Sequence, residues 1–101
     1  ALDPTDPEAH LSLGTVRFEA GQADESLMHF ERAIALESSN AKAHANRATV
    51  LLNLGRIDDA RQGFERALAL DPAMEAAREG LREANAERGK AAASDRIGPR
   101  A

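Results

Sequence analysis

The segment Phe64-Glu65-Arg66-Ala67-Leu68-Ala69-Leu70 repeats Phe30-Glu31-Arg32-Ala33-Ile34-Ala35-Leu36 at an offset of 34 residues. The same offset pairs Ala9 with Ala43, His10 with His44, Thr15 with Thr49, Val16 with Val50, Gly21 with Gly55 and Asp24 with Asp58. A constant period of this length marks stacked helical units, each unable to cover its apolar face alone. With 101 residues, the chain has room for a single domain with a modest core.

Each unit reads as a helical hairpin. Asp6-Pro7-Glu8 opens the first helix: Asp as cap, Pro at the first helical position, Glu near the positive helix end. Ala9, Leu13, Val16 and Ala20 recur at helical spacing as its inward stripe, and Gly21 ends it. Asp24 is expected to begin the second helix, with Leu27, Phe30, Ala33 and Ile34 facing inward before Ser38-Ser39-Asn40 breaks the chain. The second unit places Ala43, Ala48, Val50, Leu51 and Leu54 on a helix at about 41–54. Gly55 follows, and then a helix from Asp58 carries Phe64, Ala67, Leu68 and Leu70 up to Pro72. Short loops force antiparallel pairs, so the fold class is all-α.

A third segment, 74–89, reads as a helix with a thin stripe of Met74, Ala77, Leu81 and Ala84 within a charged remainder, the pattern of a capping helix. Residues 90–101 read as a flexible tail. Ala1-Leu2-Asp3-Pro4 matches Ala69-Leu70-Asp71-Pro72 at twice the period, so residues 1–5 read as the end of a preceding repeat. That favours a piece of a longer array over an eroded unit. The domain plan is therefore 1–5 remnant, 6–40 first repeat, 41–73 second repeat, 74–89 cap and 90–101 tail.

Composition narrows function. Residues 1–89 carry ten Lys/Arg against sixteen Asp/Glu, a net −6 that disfavours phosphate backbones. Tyr and Trp, on which bases stack, are missing from the sequence. Without cysteine there are no disulfides or thiolate zinc sites, and the compartment stays open with a lean to the cytoplasm. No run approaches the ~20 apolar residues of a membrane helix. Gly-rich phosphate loops and the metalloprotease and serine-hydrolase motifs are also missing, so no enzyme activity, metal or other cofactor is expected. His10 and His44 hold the same phase of neighbouring repeats, where packed helices lie about 8–10 Å apart, too far to share one ion. His29 reads as a surface contact. Asp24-Glu25 and Asp58-Asp59 read as caps and dipole partners rather than an acid/base pair.

The pattern resembles the tetratricopeptide repeat, W-x2-L-G-x2-Y, A-x3-F, P over 34 residues. The first unit offers His10, Leu13, Gly14, Arg17, Ser26, Phe30 and Ser38. The second offers His44, Arg47, Ala48, Leu51, Ala60, Phe64 and Pro72. Structural signature positions are thus Gly14, Gly21, Ser26, Phe30, Ala33, Ala48, Gly55, Ala60, Phe64, Ala67 and Pro72. Arg47 departs from the usual Leu, its stem packing while its head reaches solvent.

The resemblance implies a solenoid of two hairpins plus the cap, binding a protein or peptide in a groove lined by the first helix of each pair. Position by position, that groove takes Glu8, Leu11, Ser12, Thr15, Phe18 and Glu19 from the first unit. Lys42, Ala45, Asn46, Thr49, Leu52 and Asn53 come from the second, and Glu79, Glu83 and Glu87 extend it from the cap. Phe18 and Leu52, one period apart, would form an apolar strip. Some members clamp the C-terminal carboxylate of heat-shock chaperones with Lys, Asn, Asn, Lys and Arg. Those positions here hold Leu11, Thr15, Asn46, Ala76 and Gly80, one match in five; shifted by one repeat, Lys42 and Asn46 take the last two and Ser12 the middle Asn, so clamp binding is not expected.

Two alternatives stand beside the groove. The first repeat lacks a polar cap, so apolar surface around Leu11 and Leu27 would let the chain form a homo-oligomer. The module would otherwise serve as an accessory part of a larger enzyme.

Overall fold

Five helices follow one another in the computed structural model, which describes residues 3–97. They are α1 (Pro7–Glu19), α2 (Ala23–Leu36), α3 (Ala41–Asn53), α4 (Ile57–Leu70) and α5 (Glu75–Ile97). The Asp6 carboxylate accepts from the Glu8 amide at 3.0 Å, and Asn40 caps α3 by accepting from the Ala43 amide at 2.9 Å. Both satisfy a donor that the helix itself leaves unpaired.

Gly21 and Gly55 adopt φ of 79° and 81°, a region costly for residues with a Cβ. The left-handed turn lets the Gln22 amide donate back to the Arg17 carbonyl at 2.8 Å, and Arg56 to Leu51 at 2.9 Å. Each hairpin thus closes with the six-to-one bond typical of glycine-ended helices. The two turns match bond for bond, as the sequence repeat requires.

The core comes in two linked clusters. Leu11, Phe30, Ala33, Ala43 and Val50 form one, across the contact between the first hairpin and α3. Ala48, Leu51, Ala60, Phe64, Ala67, Ala77 and Ala84 belong to the other, which seals the second hairpin under α5. Leu27 packs against both. Small residues set the helix spacing: a Cβ added to Gly14 would lie 2.5 Å from the Phe30 ring, and one on Gly63 would lie 2.8 Å from the Ala48 Cβ. Ser26, fully buried, donates its hydroxyl to the Gly14 carbonyl at 2.8 Å. The radius of gyration is 15.1 Å, larger than the ~13 Å of a spherical domain of this length, as stacking along one axis demands.

Several expectations need correction. Val16 is 61% exposed and Ala20 is exposed, so the inner stripe of α1 runs through Ala9, Leu11, Gly14 and Phe18 instead. Leu54 is also exposed. The second helices start one residue before Asp24 and Asp58, and the cap positions Gln22 and Arg56 make no side-chain cap bond. These acids therefore act within the first turn; Asp58 lies 3.5 Å from Arg88 of α5. Finally, α5 does not stop at Gly89 but runs to Ile97. Gly89 lacks the positive φ that ends α1 and α3, and the Ala91-Ala92-Ala93 that follows propagates a helix well. The helix thus takes up most of the stretch read as a tail; residues 98–101, and residues 1–2 of the remnant, lie outside the described residues.

Candidate functional site

The first helices α1, α3 and α5 present two depressions. One, of about 290 Å³, is lined by Glu8, Leu11, Ser12 and Thr15 of α1 and by Lys42 and Asn46 of α3. The other, about 270 Å³, is lined by Phe18 of α1, by Thr49, Leu52 and Asn53 of α3, by Glu83 and Glu87 of α5, and by Gly55 and Ile57. Ten of the twelve residues inferred for the groove in α1 and α3 thus fall into two clusters. Glu19 and Ala45 line neither: Glu19 is exposed at the end of α1, and Ala45 is buried in the second core cluster.

Local chemistry differs between the two. Thr15 and Thr49 donate their hydroxyls to the carbonyls of Leu11 and Ala45 on their own helices, at 2.9 and 3.0 Å. Their donors are therefore spent, a common use of threonine inside a helix. Lys42 is the cation of the first depression, with Asn46 beside it. The second has an apolar floor of Phe18, Leu52 and Ile57, all half-buried, and two carboxylates on its rim. Ile57 was not foreseen. Its partner in the register is Ala23, so the repeat gave no apolar signal there. It reaches the groove because the turn at Gly55 brings the start of α4 against α3.

Leu11 is only 3% exposed, buried against Phe30, Ala33 and Val50. Leu27 is half-buried between the two clusters. Leu11 is therefore covered within the chain and Leu27 in part, while Val16 and Met28 of the same repeat stay exposed.

The histidines take unexpected roles. His10 Nε2 donates to the Pro4 carbonyl and His44 Nε2 to the Ser38 carbonyl, both at 2.9 Å. Arg78, one further period along, donates to the Pro72 carbonyl at 2.7 Å. A carbonyl only accepts, so Nε2 of each imidazole carries the proton. His10 Nδ1 is then an acceptor, and His29 Nδ1 lies 3.3 Å from it. The ring centroids are 5.6 Å apart, longer than the nitrogen–nitrogen distance by about two ring radii. The rings therefore meet edge to edge, nitrogen aimed at nitrogen. That is the geometry of an N–H···N bond; ligands of a shared ion would aim to one side. Among the described residues no three His, Cys, Asp or Glu side chains cluster as a metal site. Burial, then the neighbouring His10 and Arg17, push the His29 pKa down, against a smaller opposing pull from Glu25.

Arg47 places its head against Glu31 of α2 at 3.1 Å and joins the two repeats. Among the described residues no helix is long and apolar enough to cross a membrane.

The tetratricopeptide repeat model matches residues 6–72, two thirds of the chain. The chain belongs to the tetratricopeptide repeat family. No curated protein sequence matches it significantly. Among solved structures, this tetratricopeptide repeat domain is similar to the first such domain of Spaghetti (RPAP3) bound to an HSP90 peptide, SRMEEVD. That pair has 24% identity, covers 86% of this chain and 69% of the other, and has a TM-score of 0.82. At that identity the likeness shows the fold alone. The second such domain of human RPAP3, in complex with the HSP70 peptide SGPTIEEVD, is 26% identical over 82% of this chain and 69% of the other, with a TM-score of 0.78. MamA is 27% identical, with a TM-score of 0.81; the match covers 87% of this chain and 48% of MamA. Domains of this family are typically non-catalytic interaction modules.

Proposed function

We propose that this domain binds a protein segment in the groove of α1, α3 and α5, and that binding without catalysis is its role. The observation that carries the reading is the gathering of Glu8, Ser12, Thr15, Lys42 and Asn46 into one depression, and of Phe18, Thr49, Leu52 and Asn53 with Glu83 and Glu87 into the next. Open depressions with a few polar groups around apolar patches suit an extended peptide.

The peptides held by the two RPAP3 domains are acidic, SRMEEVD and SGPTIEEVD. A ligand of that type is not expected here. In the clamp register Leu11 is buried, and a side chain at Gly80 would collide with the Phe64 ring. In that register only Asn46 matches the clamp, and shifted by one repeat only Lys42 does.

Chemical-shift mapping of the labelled chain against peptide pools tests the reading. Shifts concentrated at Ser12, Thr15, Asn46, Thr49 and Leu52 are expected. Shifts confined to α2 and α4 would place the interaction elsewhere and overturn it.

A further inference from the structure

We propose that the depression between Phe18, Leu52 and the α5 carboxylates takes an apolar side chain of a partner segment bearing Lys or Arg beside it. This rests on the groove reading above and adds the partner's chemistry. Phe18, Leu52 and Ile57 offer partly exposed apolar surface inside a concave space of about 270 Å³, enough to desolvate one aliphatic side chain. Glu83 and Glu87 stand on its rim, one helical turn apart on α5.

Two like charges at this spacing repel, which is unfavourable for the isolated helix. Some α5 charges find partners: Glu75 with Arg78 at 3.4 Å, and Arg88 with Asp58. Glu83 has no ion pair among the described residues, and Glu87 meets only the exposed Lys90 at 3.3 Å. A cation from a partner relieves the repulsion between the two carboxylates that line the depression. The body's net charge of −6 across residues 1–89 adds a field of the same sign. Lys42, the cation of the groove, lines the other depression. The segment therefore lies with its basic part toward α5.

Two synthetic peptides of equal length test this, both built around a central Leu, one flanked by Lys and one by Glu. Titration by NMR is expected to move Thr49, Leu52 and Glu83 with the Lys-flanked peptide and to leave them still with the other. Glu83→Gln combined with Glu87→Gln should weaken that binding roughly five- to tenfold, the effect of losing two exposed ion pairs. Should the double variant fold poorly, the salt dependence of the unaltered chain answers the same question: affinity must fall as salt rises. Equal or tighter binding of the Glu-flanked peptide in the groove overturns the charge assignment and leaves the groove reading intact. If neither peptide moves a groove signal, both fall.

Discussion

His44 Nε2 donates to the carbonyl oxygen of Ser38 at 2.9 Å, tying the start of α3 to the turn that precedes it. The bond recurs at the same step of the register, from His10 to Pro4 and from Arg78 to Pro72. The family's usual residue here is a Trp, a packing aromatic. This chain has replaced bulk with a directed donor that fixes the angle at which each hairpin enters the stack. His44→Phe keeps a ring but loses the donor, and should cost about 0.5–1.5 kcal/mol in denaturant melts. A variant as stable as the parent would show that the ring, and not the bond, matters.

Phe64 is 1% exposed and lies against Gly80 of α5, with no space for a Cβ between them. Phe64→Ala should therefore cost ~3–5 kcal/mol by leaving a cavity under α5. A domain of this size has only ~5–15 kcal/mol in total. Loss of helical circular dichroism at ambient temperature is the expected readout. An unchanged melting temperature contradicts the packing described for the second cluster.

Leu11 distinguishes two readings of the first repeat. If it were a surface contact between copies, Leu11→Glu would leave a folded monomer. Buried at 3% exposure, the new carboxylate would instead be forced into the first cluster without a partner. Burying an unpaired charge costs several kcal/mol, so the first hairpin should unfold. Light scattering with circular dichroism separates the outcomes; a well-folded monomer refutes the burial.

The repeat made the hairpins, the glycine turns and the phenylalanine positions legible, because each recurs in one register and chance does not preserve so many pairs. What it hid lies where the register changes hands. Gly63, which abuts Ala48, corresponds to His29 of the first unit, while Ala48 corresponds to Gly14. Gly14 and Ala48 share a column and were legible as small residues, but the second hairpin adds Gly63 on α4, whose column holds a histidine, so matching columns could not find it. Val16 misled for a related reason. Its partner Val50 is fully buried because α3 is packed between α2 and α4, whereas α1 packs on α2 and only marginally on α3. The groove positions on α1 and α3 came from the family resemblance, and Ile57, whose partner in the register is Ala23, needed the third dimension.

Two glycines in helices should respond with opposite signs to the same change. Nothing lies within 4 Å of a Cβ at Gly89, and its φ is not positive, so Gly89→Ala should gain about 0.5–1 kcal/mol from backbone entropy. At Gly63 the same methyl meets the Ala48 Cβ at 2.8 Å. Overpacking costs about 1–3 kcal/mol, which exceeds the propensity gain. Gly63→Ala should therefore lower the melting temperature while Gly89→Ala raises it. Both rising would mean that α3 and α4 are less closely packed than described.

The His10–His29 bond sets a pH dependence. Burial, followed by the nearby His10 and Arg17, disfavours the charged form of His29, whose ordinary value is 6.5; Glu25 opposes and Arg32 reinforces the effect. The unfolded chain therefore binds this proton more readily than the folded one. Linkage gives the sign: the contribution is fully present above about pH 6.5 and is lost as pH falls through the lower folded value. One extra proton leaves an N–H to bridge the facing nitrogens, but two make both of them donors and break the bond. His29→Gln removes this titration, so its melting temperature should fall less than the parent's between pH 7 and pH 5. NMR titration of the parent should place the His29 midpoint below 6.5. A midpoint above that value, or identical pH profiles for parent and variant, would contradict the burial described for His29.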